Sequence, residues 1–333
     1  MEAPECSTRP LSESTDRLGA AGMKETHLVT GAFGYSGSYI ARELLRAGHS
    51  VCTLTRSPDR ENEFGDSVRV FPLDFGDRDG LIRALSGVKV LYNTYWVRFA
   101  KAGFSQEKAV TDSFALFEAA RDAGVQRIVH VSITNPSLDS PYEYFRGKAR
   151  LEKALWESGL EFSILRPAVL FGGCDILINN IAWSIRRLPT IGVFGDGSYR
   201  VQPIHVADLA RLAVEHSRQS GRVVVDAVGP EIFTYRELVT AVATAIGRRR
   251  PVLRVPPWFG MWAAVLLGWF VRDIVLTREE MDAMMDDLLV SGSPPTGSTR
   301  LTDWMAQHRD VLGRRYAREL ARRSDRSTSY DRL

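Results

Sequence analysis

The chain has 333 residues, 44% hydrophobic and 25% charged, and its 43 basic and 40 acidic residues leave a net charge of +3. That balance excludes nucleic acid as the main partner, and the length exceeds what one compact core usually holds, so a large domain with a smaller lobe is expected. Cys6, Cys52 and Cys174 stand far apart without a C-x-x-C pair, and the six histidines show no H-E-x-x-H spacing. This argues against a disulfide framework, a zinc site or any structural metal, and fits a reducing cytoplasm.

Residues 1–23, rich in Ser, Glu, Arg and Ala, read as a disordered tail and not as a secretory signal. From there β-type runs alternate with helical patterns. Strands are expected at Thr26–Thr30, Ser50–Thr55, Val68–Leu73, Val88–Asn93, Arg127–Ser132 and Phe162–Leu165. Helices are expected at Tyr39–Ala47, Asp79–Ser86, Phe104–Ala123 and Pro141–Glu157. The alternation gives βαβ units with right-handed crossovers, hence an α/β fold with a doubly wound parallel Rossmann sheet over 24–166. Beyond Pro167 the regularity weakens. The chain is expected to return to the sheet at about 200–228, while 167–199 and 229–323 form a smaller, mostly helical C-terminal lobe that chooses the substrate. Thr302–Arg323 reads as a final Arg-rich helix with a solvated face, and 324–333 as a tail.

The loop after the first strand reads Thr30-Gly31-Ala-Phe33-Gly34-Tyr35-Ser36-Gly37 and opens a helix. Gly31 suits the tight turn, Gly34 a close backbone approach to a pyrophosphate, and Gly37 the packing of helix on sheet. Gly31, Phe33, Gly34, Tyr35, Ser36 and Gly37 are therefore candidate contacts to a dinucleotide held at the positive end of the helix. The second strand ends in Leu54-Thr55-Arg56-Ser57, with no acidic residue for the ribose 2′-hydroxyl of NAD. Arg56 suits a 2′-phosphate, which favours NADP, with NAD as the alternative. Asp74, after the third strand, is placed to accept from the adenine amine, or else to cap a turn. Asn93-Thr-Tyr95-Trp96 follows the fourth strand at the sheet edge where ligands lie. Asn93 is a cofactor candidate, and Tyr95 and Trp96 are candidates for stacking on nicotinamide or substrate.

Tyr144-Phe-Arg-Gly-Lys148 places a phenol and an ammonium one helical turn apart. The ammonium is expected to lower the phenol pKa toward general acid–base use, and Lys148 to hold the nicotinamide ribose. A second feature is the apolar run Trp258–Val271. It falls short of the roughly 20 residues of a membrane span. It reads first as a buried helix, then as a greasy pocket wall, and last as a membrane-surface contact.

Taken with Val131-Ser132, Leu165-Arg166-Pro167-Ala-Val-Leu-Phe-Gly172, Phe194-Gly-Asp-Gly197 and Val201-Gln-Pro-Ile-His-Val-Ala-Asp208, these motifs resemble the extended or atypical short-chain dehydrogenase/reductase superfamily over about residues 24–320. Within it the chain is similar to the NAD-dependent epimerase/dehydratase group, and to the branch holding the complex I nucleotide-binding accessory subunit and the NmrA-like proteins. The resemblance implies Tyr144 as general acid/base, Lys148 as its partner, Pro167 beside the cofactor, and a homodimer as one assembly open to the chain. The family's Ser or Thr after the fifth strand falls here on Ile133, with Ser132 and Thr134 one residue to either side as substitutes. The expected activity is NAD(P)-dependent oxidoreduction of a small apolar or aromatic carbonyl or alcohol. A sugar-nucleotide epimerase or dehydratase, using Arg186, Arg187 and Arg200 for a diphosphate, and a non-catalytic nucleotide sensor or assembly protein are the alternatives.

Overall fold

The computed structural model describes residues 24–99 and 105–333. The tail expected at 1–23 and the helix start expected at Phe104 lie outside the described residues. The nucleotide-binding half runs β1 (Thr26–Thr30), α1 (Tyr35–Arg46), β2 (Ser50–Thr55), β3 (Val68–Pro72), α2 (Arg78–Leu85), β4 (Val90–Asn93), α3 (Gln106–Asp122), β5 (Arg127–Val131), α4 (Glu143–Glu157) and β6 (Glu161–Pro167). The kind and order of elements are those predicted. Then follow β7 (Val169–Phe171), α5 (Leu177–Arg187), β8 (Ile191–Phe194), β9 (Arg200–Val201), β10 (Pro203–His205), α6 (Val206–His216) and β11 (Arg222–Ala227). The chain continues through β12 (Phe233–Thr234), α7 (Tyr235–Ala245), β13 (Val252–Val255), α8 (Pro257–Val271), α9 (Arg278–Met285), α10 (Leu301–His308) and α11 (Glu319–Ser324).

Seven strands form one sheet in the order β11-β6-β5-β4-β1-β2-β3, every neighbouring pair parallel. Successive residues of each strand serve opposite faces. Leu28, Leu54, Leu91 and Ile128 pack under α2, α3 and α4 with Leu81, Leu116 and Leu151. Val29, Val51, Tyr92 and Val129 pack under α1 and α6 with Ile40, Leu44, Leu209 and Ala213. A sheet covered on both faces needs apolar residues on both, which is why these strands read as unbroken hydrophobic runs. The strand order reverses between β1 and β4, so the crevice at their carboxyl ends lies beside the glycine loop.

The second lobe has its own core, in which α5, β8, α7 and α10 meet through Ile178, Ile185, Val193, Leu238, Val242 and Trp304. Its β8 and β13 pair in parallel. The long helix expected at Thr302–Arg323 is instead two short ones, α10 and α11. Gly313, at φ +71°, breaks it, and a Cβ there would sit 2.4 Å from the main chain of Ala182. The charged face of this segment is not wholly solvated, because Arg322 is buried with its guanidinium over the Tyr330 ring. The segment read as a terminal tail is packed down too. Ser327 carbonyl accepts from Glu61 N (2.8 Å), and Arg332 pairs with Glu61 (3.0 Å). The helix α8 forms as expected, but the buried reading of Trp258–Val271 fails. Trp258, Trp269 and Phe270 are 74%, 79% and 79% exposed. Among the described residues no helix is long and apolar enough to cross a membrane.

His205 caps α6, its Nδ1 accepting from Ala207 N at 3.2 Å. One turn on, the buried Asp208 carboxylate accepts from Ser298 N (2.8 Å), Thr299 N (2.7 Å) and Thr299 Oγ1 (3.0 Å), and pairs with Arg211. It thereby fastens the loop before α10 to the helix that rejoins the sheet. Asp208→Ala leaves those donors without an acceptor, and is expected to lower the unfolding free energy by about 3 kcal/mol in urea titration.

Candidate functional site

The crevice begins at the turn after β1. Gly31 has φ +69°, a left-handed backbone that a side chain disfavours. Its carbonyl accepts from Gly34 N (2.8 Å), and its own N–H donates to Leu54 carbonyl (2.9 Å). The helix starts at Tyr35, four residues earlier than predicted, with Gly34 at the N-cap and no side-chain cap. A Cβ on Gly37 would lie 2.2 Å from Gly31 carbonyl oxygen. The absent side chain lets the first turn of α1 press onto the loop. Backbone amides of Tyr35, Ser36 and Gly37 therefore open the helix without a competing side-chain acceptor, as a diphosphate requires. Phe33 contributes main chain only, since its ring is buried against Phe64 at 6.3 Å. These residues fit a dinucleotide phosphate.

Tyr144 and Lys148 both lie on α4, in its first two turns. Lys148 is 2% exposed, donates from Nζ to Val131 carbonyl (2.8 Å), and lies 4.4 Å from the centre of the Trp96 ring. Trp96 also meets Tyr144 edge-on at 5.5 Å.

A family described as NAD(P)H-binding matches residues 31–178, which begin at Gly31 and take in the Tyr144–Lys148 helix. Among curated proteins, the chain is 25% identical over 79% of its length to the Arabidopsis thaliana mitochondrial NADH dehydrogenase [ubiquinone] 1 alpha subcomplex subunit 9, covering 70% of it. It is 29% identical over 66% of its length to a Streptomyces griseus (4-alkanoyl-5-oxo-2,5-dihydrofuran-3-yl)methyl phosphate reductase, covering 74% of it. Among solved structures, Citrobacter triphenylmethane reductase superposes with a TM-score of 0.72 at 18% identity, over 86% of this chain and 100% of that one. These likenesses agree with the resemblance of the chain to the extended, NmrA-like short-chain dehydrogenases/reductases, and the NAD(P)H-binding family itself accounts for residues 31–178.

The chain departs from the expected site in several places. The Ser132 hydroxyl donates to Glu152 (2.5 Å), whose carboxylate also holds Arg166. The Thr134 hydroxyl donates to Leu288 carbonyl (2.8 Å). Neither hydroxyl is joined to Tyr144. Ile133 is, packing in one apolar cluster with Tyr144 and Phe145. Tyr144 itself is shifted the opposite way from expectation. Burial, then the Glu280 carboxylate, hold its phenol well above the usual value. Burial also pulls Lys148 down to about 7, against the opposing Glu152.

Asn93 is fully buried and braces the strand ends, accepting from Tyr95 N (3.1 Å) and bonding His130 Nδ1 (3.1 Å). Its side chain is committed to the fold. Asp74 accepts from Gly76 N (2.9 Å), which is the turn role weighed for it. Arg56 donates to the Tyr95 hydroxyl (3.0 Å) and lies 3.5 Å from Asp112, with Phe75 beneath. Tyr95 thus stands with Arg56 and away from Tyr144. Pro167 ends β6, its carbonyl accepting from Thr134 N (3.0 Å).

A cavity of about 1150 Å³ joins the two lobes. Tyr35 of the glycine loop, Ile133 and Tyr144 wall it on one side, and Val169, Val255, Phe259 and Trp262 are among the residues of the other. Trp183, on α5, does not line the cavity and packs edge-on against Tyr316 at 5.1 Å. Of the expected catalytic residues, Tyr144 alone lines the cavity. Sequence reasoning missed its polar members. Arg98 pairs with Glu280, and Glu279 accepts from Tyr144 N (2.9 Å). These partners lie more than a hundred residues apart in the chain, with no local pattern to link them. A different cluster, Glu25, His27 and His49, has ligand atoms within 4.8 Å of one another, although no metal was expected. There Glu25 is already paired with Lys89. Because Gly37 is the tightest contact of the crevice, Gly37→Ala is expected to weaken NAD(P)H binding more than tenfold by fluorescence titration, with the fold retained by circular dichroism.

Proposed function

We propose that this protein is an NADP(H)-dependent reductase of an apolar or aromatic carbonyl compound. The observation that carries the reading is the cavity, which sets the Tyr144 phenol and the glycine loop's Tyr35 against a wall of aliphatic and aromatic side chains. Nicotinamide, when bound, supplies a hydride. Burial keeps Tyr144 protonated, so it serves as a proton donor to a carbonyl oxygen, which suits reduction over alcohol oxidation. Two relatives with reductase in their names support the same direction.

Arg186, Arg187 and Arg200 speak against a sugar nucleotide. Arg186 and Arg187 donate to the main-chain carbonyls of Leu312 and Arg314 (2.9 and 2.8 Å), Arg200 pairs with Asp287 (3.0 Å), and none of the three lines the cavity. The choice of NADP rests on Arg56 at the end of β2, where its guanidinium is the natural partner of a 2′-phosphate. Neither Cys52 nor Cys174 forms a disulfide among the described residues, which agrees with a reducing cytoplasm as the proposed compartment.

A second reading, nucleotide binding without turnover, is favoured by Ile133 in place of a hydroxyl and by Trp96 lying over Lys148. Tyr144→Phe separates the two. A reductase should lose about a hundredfold or more in kcat toward a hydrophobic ketone or quinone while still binding NADPH. If the unaltered protein binds NADPH and turns over none of a broad carbonyl panel, the second reading stands. Arg56→Ala is expected to weaken NADPH about tenfold and leave NADH unchanged; equal loss for both would remove the case for NADP.

A further inference from the structure

Helix α8 is the most exposed apolar surface of the described residues. Trp258, Trp262, Val265 and Trp269 recur at one-turn spacing and are 51–79% exposed, with Phe270 beside them. The opposite side is pressed into the lobe, where a Cβ on Gly260 would lie 2.3 Å from Phe194. So the helix is anchored by small residues and turns its largest ones outward, the reverse of a core helix.

Its own stretch of chain is cationic, although Asp196 from the turn after β8 faces Arg254. Residues 248–272 contain Arg248, Arg249, Arg250, Arg254 and Arg272 and no acidic residue. Arg248, Arg249, Arg254 and Arg272 are exposed, so the apolar stripe has positive charge beyond both ends. The next acid, Asp273, is buried and accepts from Glu319 N (2.7 Å) and Leu320 N (2.9 Å).

We propose that α8 is a membrane-surface anchor that seats this face on an anionic lipid bilayer. Indole and phenyl rings favour the zone between headgroups and acyl chains, and arginines beside them meet the lipid phosphates. At 15 residues the helix is about 22 Å long, enough to lie in that zone and too short to cross it. A second copy of the chain fits less well. Pairing α8 with itself in either direction sets arginine against arginine, with no carboxylate in 248–272 to answer. Phe259, Trp262 and Leu266 are both exposed and part of the cavity wall, so the docking face includes the cavity rim. The anchor does not depend on the reductase reading.

The test is flotation of the full chain with phosphatidylcholine vesicles, with and without phosphatidylglycerol. Anionic vesicles should bind it at least tenfold more tightly, and high salt should weaken that binding. The triple variant Trp258→Ser, Trp269→Ser, Phe270→Ser should lose binding more than tenfold with an unchanged thermal melt, since those side chains pack on little. Arg248→Gln, Arg249→Gln and Arg254→Gln together should remove the preference for anionic lipid. No flotation with either vesicle, or equal flotation of the triple variant, overturns the proposal. So does a dimer in sedimentation that the triple variant dissolves, which would give the face to a second copy.

Discussion

The structure turns on one missing side chain. At Gly37 a Cβ would stand 2.2 Å from the Gly31 carbonyl, so only glycine lets α1 begin as soon as β1 has ended. That contact puts the helix's open amides at the point where the strand order reverses, the place an α/β sheet offers a ligand. The rest of the nucleotide half holds this arrangement rigid. Thr53 accepts from Ala32 N (3.0 Å) and donates to Val29 carbonyl (2.8 Å), tying the loop to β2. Thr30 accepts from Thr94 N (2.8 Å), tying it to the end of β4. The two Thr53 bonds are buried and the Thr30 bond partly so, where an unmade partner is costly, so the loop keeps one shape.

From that fixed point the family chemistry would run outward to Tyr144 and Lys148, and here the molecule diverges. An ammonium activates a phenol when both face the same solvent-poor pocket. In this chain Trp96 lies over Lys148, which turns inward to Val131 carbonyl, while Tyr144 faces the cavity beside Ile133. Trp96 approaches this closely because residue 147 is glycine; a Cβ there would lie 2.8 Å from its ring. The result is a phenol whose pKa goes up and an amine whose pKa goes down, each toward its neutral form. The phenol therefore keeps its proton at neutral pH and can give it up only to an oxygen on which negative charge is developing.

What the sequence made legible follows from the range of each interaction. Strand periods, the glycine spacing and the parallel order depend on residues near one another, so β1 and β2 were placed to the residue. The Y-x-x-x-K spacing put Tyr144 and Lys148 on one helix, but the direction of their pKa shifts is set first by burial, which no helix pattern reveals. The expected substitutes Ser132 and Thr134 flank the right position, but they lie past the end of β5, and their hydroxyls meet Glu152 and Leu288 instead. The break at Gly313 was hidden for the same reason: it answers to Ala182, on another helix.

The apolar run at Trp258–Val271 shows the limit most sharply. Hydrophobicity says that a segment avoids water and does not say what shields it. With apolar residues all round the helix, the periodicity that would separate a buried face from an exposed one is lost. The small residues decide the matter, because Gly260 and Gly268 mark where backbone meets protein and leave the tryptophans nowhere to go but outward. An isolated exposed Trp needs no explanation, but three on one helix with Phe270 form a contiguous patch rimmed by arginine. The cavity rim shares that patch. The surface and the pocket therefore share Phe259, Trp262 and Leu266, so one helix serves both.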